Sequence, residues 1–326
     1  MSRARHLHLL LAAGLLGLLL WKTDVTGVAN ALGDVSPLTA AAVILLNAPI
    51  ALLFGLRSHM VLRKLGHDIP ARVLLPIAIL GNVAGSLTPA SAGELIRTAI
   101  LKSHADVTGE DSFALVLYER GLSVYLMALG TGVVAAFVAL PLLPAAAIAG
   151  AAAPLFALPL AGPVVLRLLP KRRVARGPNF VRDLLERAAS VAERLERLLG
   201  ERRLLAAWSA VTAAIFCVVT LQFWLLARAL SHVVSPQEAW VAFGASQLAA
   251  IVSLLPLGLG AADGSIAAIL RRAGMTLEQG TAVAILVRAT ITLPLGLAAV
   301  ICYLYLQRLG RATDGRASGD AAARAA

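Results

Sequence analysis

Apolar runs of roughly 17–25 residues, the length a helix needs to cross a bilayer, recur along the whole chain. In hydrocarbon every backbone N–H and C=O must be paired internally, so such runs fold as helices or as strands of a closed barrel. These runs are continuous and rich in Leu and Ala, without the period-two alternation of barrel strands, which argues for helices. Apolar residues fill 59% of the 326 positions and charged residues only 14%, which excludes an ordinary soluble domain. The chain is expected to be an all-α polytopic membrane protein.

The net charge of +11 invites a nucleic-acid reading, but Lys and Arg sit between the apolar runs, as orientation by the positive-inside rule requires. Cys217 and Cys302 fall inside apolar runs and read as small core residues, neither a disulfide nor metal ligands.

Taken in order, a basic start with Arg3 and Arg5 leads into a run at 9–21 that ends at Trp21 and Lys22. It reads as a retained first helix in preference to a cleaved signal peptide. The run at 38–56 returns to a basic loop holding Arg57, Arg63, Lys64 and Arg72. Residues 69–87 enter again and break at Thr88-Pro89-Ala90-Ser91-Ala92-Gly93. About nine helical residues follow, rising roughly 13 Å against a core of about 30 Å, so the segment reads as a re-entrant hairpin open to the cytoplasm. Residues 112–140 cross fully, 141–144 form an outer turn and 145–169 return. Residues 204–230 cross outward, and 239–255 re-enter and break at Pro256-Leu-Gly-Leu-Gly260 before a short segment at 263–272. The last span, 280–306, bends at Pro294, and the polar tail 309–326 is expected to lack structure. The sum is a single transmembrane domain over 1–326, with about six crossings, two hairpins and both termini cytoplasmic.

Residues 179–200 differ in kind. Val181, Leu184, Leu185, Ala188, Val191, Leu195, Leu198 and Leu199 recur at three- and four-residue spacing, with charges opposite them. This is an amphipathic helix lying on the cytoplasmic membrane surface or on the protein's own base.

The two breaks share a pattern. Pro89 precedes Gly93 by four residues as Pro256 precedes Gly260, and a carboxylate follows, Glu94 in one copy and Asp263 in the other. Glu110 then precedes Arg120 by ten residues, as Glu278 precedes Arg288. With the first hairpin facing inward and the second outward, the halves at 69–140 and 239–307 form an inverted repeat, an arrangement common in secondary transporters.

Charged residues inside apolar segments mark functional sites by default. The candidates are Pro89, Gly93, Glu94, Arg97, Glu119 and Arg120 in the first half and Pro256, Gly260, Asp263 and Arg288 in the second. Helix ends at the breaks offer unpaired N–H groups to an anion. The three arginines supply positive charge, and Glu94, Glu119 and Asp263 neutralise them or carry protons. Asn47, Asn82 and Gln247 read as hydrogen-bond partners between helices. His59, His67 and His104 lie at loop edges in no zinc-binding pattern. No nucleophile motif, Walker loop or dinucleotide fingerprint occurs, so neither a cofactor nor an enzymatic activity is expected.

Pro89-Ala-Ser-Ala-Gly-Glu-Leu-Ile-Arg97, Glu119-Arg120, Pro256-Leu-Gly-Leu-Gly-Ala-Ala-Asp263 and Arg288 together resemble the flippase-like membrane family that includes the transmembrane domain of lysylphosphatidylglycerol synthases. The resemblance implies movement of lipids or lipid-linked headgroups between leaflets of a bacterial cytoplasmic membrane. A phospholipid, a polyprenyl-phosphate-linked sugar and a hopanoid all remain open as cargo. Ser91, Ser123 and Asp263 stand where the family usually carries a base, an acid and a Glu, which points to a less anionic lipid. Expected partners are lipids with anionic or polar headgroups and a second copy or a biosynthetic enzyme, with no nucleic acid. The alternatives are an enzyme transferring a group on a lipid headgroup, with Glu94 as base, and a regulatory or structural membrane subunit.

Overall fold

The computed structural model describes residues 25–87, 93–139, 179–231 and 233–325. The expected crossings at 9–21 and 145–169, the turn at 141–144 and residues 88–92 of the first break lie outside them. Among the described residues every regular element is helical. Four stretches are long and apolar enough to cross a membrane: Pro37–Lys64, Gly109–Val138, Arg202–Leu230 and Leu277–Leu309. They match the expected spans near 38–56, 112–140, 204–230 and 280–306. Their outer faces carry large bare side chains, with Leu38 80% and Leu45 72% exposed, which only lipid can cover without cost.

Helix α1 (Val25–Gly33) is followed by α2 (Pro37–Leu45) and α3 (Asn47–Lys64), which run nearly continuously across Leu46. Ser36 starts α2, accepting from Thr39 N at 3.1 Å, with Pro37 in the first turn where its missing N–H costs nothing. The first hairpin is α4 (Ala71–Leu87) and α5 (Glu94–Ala105), backed by the long α6 (Gly109–Ala139). The amphipathic α7 (Asn179–Gly200) leads into α8 (Arg202–Leu230). The second hairpin is α9 (Pro236–Ser253) and α10 (Ala261–Arg272), joined by a 3-10 turn at Pro256–Gly258. After it, α11 (Leu277–Val287), a π-turn at Arg288–Thr292 and α12 (Leu293–Ala325) form one long rod. Ser235 with Glu238 and Thr276 with Gln279 close reciprocal caps at the starts of α9 and α11.

Packing follows an exchanged pattern. α4 lies against α3 and α5, and α9 against α8 and α10. The first leg of each hairpin also packs on the long helix behind the other hairpin: α4 on α12, and α9 on α6. α3 and α8, which lead into the two hairpins, pack on each other, and the Pro256–Gly258 tip touches α4. One apolar cluster, including Leu74, Ile77, Leu101, Tyr118, Leu198 and Trp208, gathers side chains from α3 to α8 and from α12. A second, including Phe223, Leu226, Phe243, Ile266, Leu270 and Val283, joins α8 to α9, α10 and α11.

α7 settles on the protein's own base: Leu198 is buried beside Leu205 and Trp208, and Arg194 pairs with Asp111 at the start of α6. Asp111 also meets His67 Nε2 at 2.9 Å and accepts from Thr108 Oγ1 at 2.8 Å. His104 Nε2 meets Leu306 O at 3.2 Å, tying α5 to α12. Some expectations change. Arg57 is not in a loop, because α3 continues two turns past the apolar run to Lys64. The segment 309–326, expected to lack structure, is helical to Ala325, as its run of alanines favours. Cys217 is exposed and Cys302 half-buried, because both helices turn apolar faces outward. Gln247 is likewise exposed on α9.

Candidate functional site

The first site is built around Arg97, which is wholly buried on α5. A buried guanidinium is tolerated only when paired and hydrogen-bonded. Its Nη1 donates to Glu119 Oε2 on α6 at 2.7 Å, and its Nη2 donates to Ser58 Oγ on α3 at 2.6 Å. Ser58 Oγ in turn donates to Glu119 Oε1 at 2.9 Å, closing a triangle across three helices. Gly81 on α4 makes room for it: a Cβ there would stand 2.5 Å from Arg97 Cδ and 3.1 Å from its Cβ. The glycine is required by the arginine.

Arg57 is the second cation of this site. Its Nε lies 3.8 Å from Glu119 Oε1, and its other nitrogens donate to Ser123 Oγ at 3.1 Å and Asn82 Oδ1 at 3.4 Å. Its guanidinium carbon stands 5.5 Å from the Phe54 ring centroid and 5.1 Å from that of Trp208. Stacking of this kind suits the planar, weakly hydrated guanidinium. Sequence reading missed Arg57, Ser58 and Trp208. The apolar Met60-Val61-Leu62 after Arg57 was the available signal that the helix had not ended.

The second site is at the other break. Arg288 opens the π-turn and grips Asp263 on α10 with two bonds of 2.8 Å, Nε to Oδ1 and Nη2 to Oδ2. Asp263 Oδ2 also accepts from Gly260 N at 2.9 Å, which caps α10 and places a carboxylate at the positive end of its dipole. Arg288 Nη2 reaches Leu257 O at 3.3 Å, so the ion pair touches the hairpin tip itself. That tip is strained. Leu254 and Leu257 adopt φ of 54° and 55°, and Gly258 and Gly260 φ of 61° and 78°. Left-handed backbone at a residue with a Cβ costs about 1 kcal/mol or more, and it persists where the surroundings dictate it.

The two sites have opposite polarity. In the first the cation stands on the short helix after the break and the carboxylate on the long helix 22 residues on. In the second the carboxylate stands on the short helix and the cation follows 25 residues on. Of the expected residues, Arg97 with Glu119 and Asp263 with Arg288 are brought together, Gly260 and Pro256 shape the second tip, and Gly93 begins α5. Arg97 finds its described partners on α6 and α3. Pro89 and the side chain of Glu94 lie outside the described residues. Arg120 is half-buried on α6, one residue round from Glu119.

A multi-pass helical membrane protein that encloses charged pairs at two interrupted helices is the class that this fold and these sites define. The chain belongs to the family described as the lysylphosphatidylglycerol synthase TM region, whose sequence profile matches residues 6–299. The resemblance carried by the Pro-Gly-Glu and Pro-Gly-Asp motifs is thereby borne out. The chain is similar to a "UPF0104 membrane protein" of Methanothermobacter thermautotrophicus, 30% identical over 98 residues that cover 29% of each protein. It is also similar to "Glycosyltransferase AglD" of Haloferax volcanii, 29% identical over 126 residues, 39% of this chain and 20% of that one. The matched stretches thus span less than a third of either relative.

Proposed function

We propose that the protein moves a lipid with an anionic or polar headgroup between the leaflets of a bacterial cytoplasmic membrane. The observation that carries this reading is the enclosure of Arg97, Glu119 and Arg57 within an otherwise apolar helix bundle. Such a cluster is costly, and a purely structural bundle gains nothing from it that apolar side chains would not supply. A headgroup crossing hydrocarbon needs a polar path of this kind. Family membership supports the same reading.

The hairpins supply the geometry. α5 and α10, each of 12 residues, rise roughly 18 Å, short of a core of about 30 Å. They act as re-entrant legs, the first open to the cytoplasm and the second to the outside, each seated on the long helix of the opposite half. Alternating exposure follows if the halves rock against each other about the α3–α8 contact. The exposed Arg63, Lys64, Arg72 and Lys102 support a cytoplasmic orientation for their end of the bundle.

Similarity to a Haloferax volcanii protein named a glycosyltransferase favours a second reading, transfer of a sugar group. Reconstitution separates the two. Purified protein in liposomes with headgroup-labelled lipids is assayed by quencher accessibility and, in parallel, by mass spectrometry. Leaflet exchange of chemically unchanged lipid supports translocation, whereas a new lipid product without exchange contradicts it.

A further inference from the structure

We propose that Asn47 is a positioning residue for Arg288. The inference rests on the reading of Arg288 as part of the translocation path. Pro294 has no N–H to give. In α spacing that N–H would serve Thr290 O, one turn back. Instead the segment Arg288–Thr292 is a π-turn, with Leu293 N reaching Arg288 O. Thr290 is 4% exposed, so its carbonyl has little access to any donor outside the protein. Asn47 supplies the donor: its Nδ2 stands 2.8 Å from Thr290 O, across 243 residues of sequence.

Asn47 is itself fixed. Its Nδ2 also donates to Ile44 O at 3.0 Å, and its Oδ1 accepts from Gln222 Nε2 at 3.3 Å. Gln222, wholly buried on α8, donates to Val43 O at 2.8 Å as well. Turning the Asn47 amide over would set its oxygen against two carbonyls, so the bonding admits one orientation.

The consequence lies at the first residue of the π-turn. Each helical residue advances the side-chain direction by about 100°, so one residue more or less in this turn re-aims Arg288 relative to α12. Both ends of the rod are held, α11 by α10 and α8, and α12 by α4. The π-turn is where their phases are reconciled, and the phase chosen sends the guanidinium onto Asp263 and Leu257 O. Asn47 holds that phase by completing the carbonyl that Pro294 leaves open.

The geometry is read without any lipid assay. In a Cys217→Ser, Cys302→Ser background, Asp263→Cys and Arg288→Cys are joined by a short bifunctional maleimide, with Asn47 or with Asn47→Leu. A buried acceptor left without its donor shifts an equilibrium by roughly tenfold or more, so cross-linking should slow by that order. An unchanged rate overturns the proposal. Thermal melting gives a second arm. The loss caused by Asn47→Leu should shrink when Pro294→Ala returns an N–H to that stretch, and equal losses in both backgrounds overturn the proposal. Lipid exchange by Asn47→Leu, with Asp263 and Arg288 intact, separates the two readings. Slowed cross-linking with normal exchange leaves Asn47 as the positioning residue and removes Arg288 from the translocation path.

Discussion

Arg97 on α5 and Asp263 on α10 each stand on a short helix and pair with an opposite charge on a long helix behind it, Glu119 on α6 and Arg288 at the end of α11. The cation comes first along the chain in one pair and the carboxylate first in the other.

Glu119→Gln removes the counter-charge of two buried arginines. It should destabilise the protein by about 3 kcal/mol or more, because an uncompensated charge stays behind. The triple substitution Arg57→Met, Arg97→Met, Glu119→Leu should cost much less than Glu119→Gln, since it leaves no uncompensated charge buried. Thermal unfolding in detergent, followed for the three proteins, checks the order.

Gly81→Ala should mimic loss of Arg97 without touching a charge. Its Cβ would overlap the Arg97 stem, which is pinned at its head by Glu119 and Ser58. Overpacking of this kind costs about 1–3 kcal/mol. Lipid exchange should fall in step, and a melting temperature and exchange rate both equal to the parent's would contradict the packing described.

Arg57→Lys keeps the charge and discards the plane. It should lose about 1 kcal/mol from the contacts with Phe54 and Trp208, and the fork that serves Ser123 and Asn82 together. Trp208→Leu should produce a smaller further loss in the Arg57→Lys background than in the parent, which a double-mutant cycle measures.

Much of this was legible in the sequence. Long runs near 38–56, 112–140, 204–230 and 280–306 declared their helices by length and by the lack of period-two alternation, because hydrocarbon admits only helices and closed barrels. The 3-4 spacing of Val191, Leu195 and Leu198 declared α7, while the surface it covers appeared only with Arg194 on Asp111. Glu119 was legible as one of three candidate carboxylates, but its pairing with Arg97 was not, because it depends on the approach of α5 to α6. Arg57 was lost at the edge of an apolar run, where a basic residue ordinarily marks a loop. Pro294 signalled a bend, but the π-turn and its donor from α3 depend on contacts that no local pattern encodes.

Topology is testable at two exposed positions. In protein lacking Cys217 and Cys302, Ser103→Cys at the end of α5 should react with an impermeant maleimide only from the cytoplasmic side. Arg271→Cys at the end of α10 should react from outside. Reaction of both from the same side would contradict the inverted hairpins.

The central claim is that the enclosed charges serve passage of a headgroup and not the fold. The variant Arg57→Met, Arg97→Met, Glu119→Leu separates the two, because it removes the enclosed charges while keeping the bundle filled. Its rate of leaflet exchange in liposomes, with lipids bearing labelled anionic and zwitterionic headgroups, is the most direct measurement. Folded, membrane-inserted protein with exchange reduced to that of empty liposomes is the result expected. Exchange at the parent's rate would contradict the account.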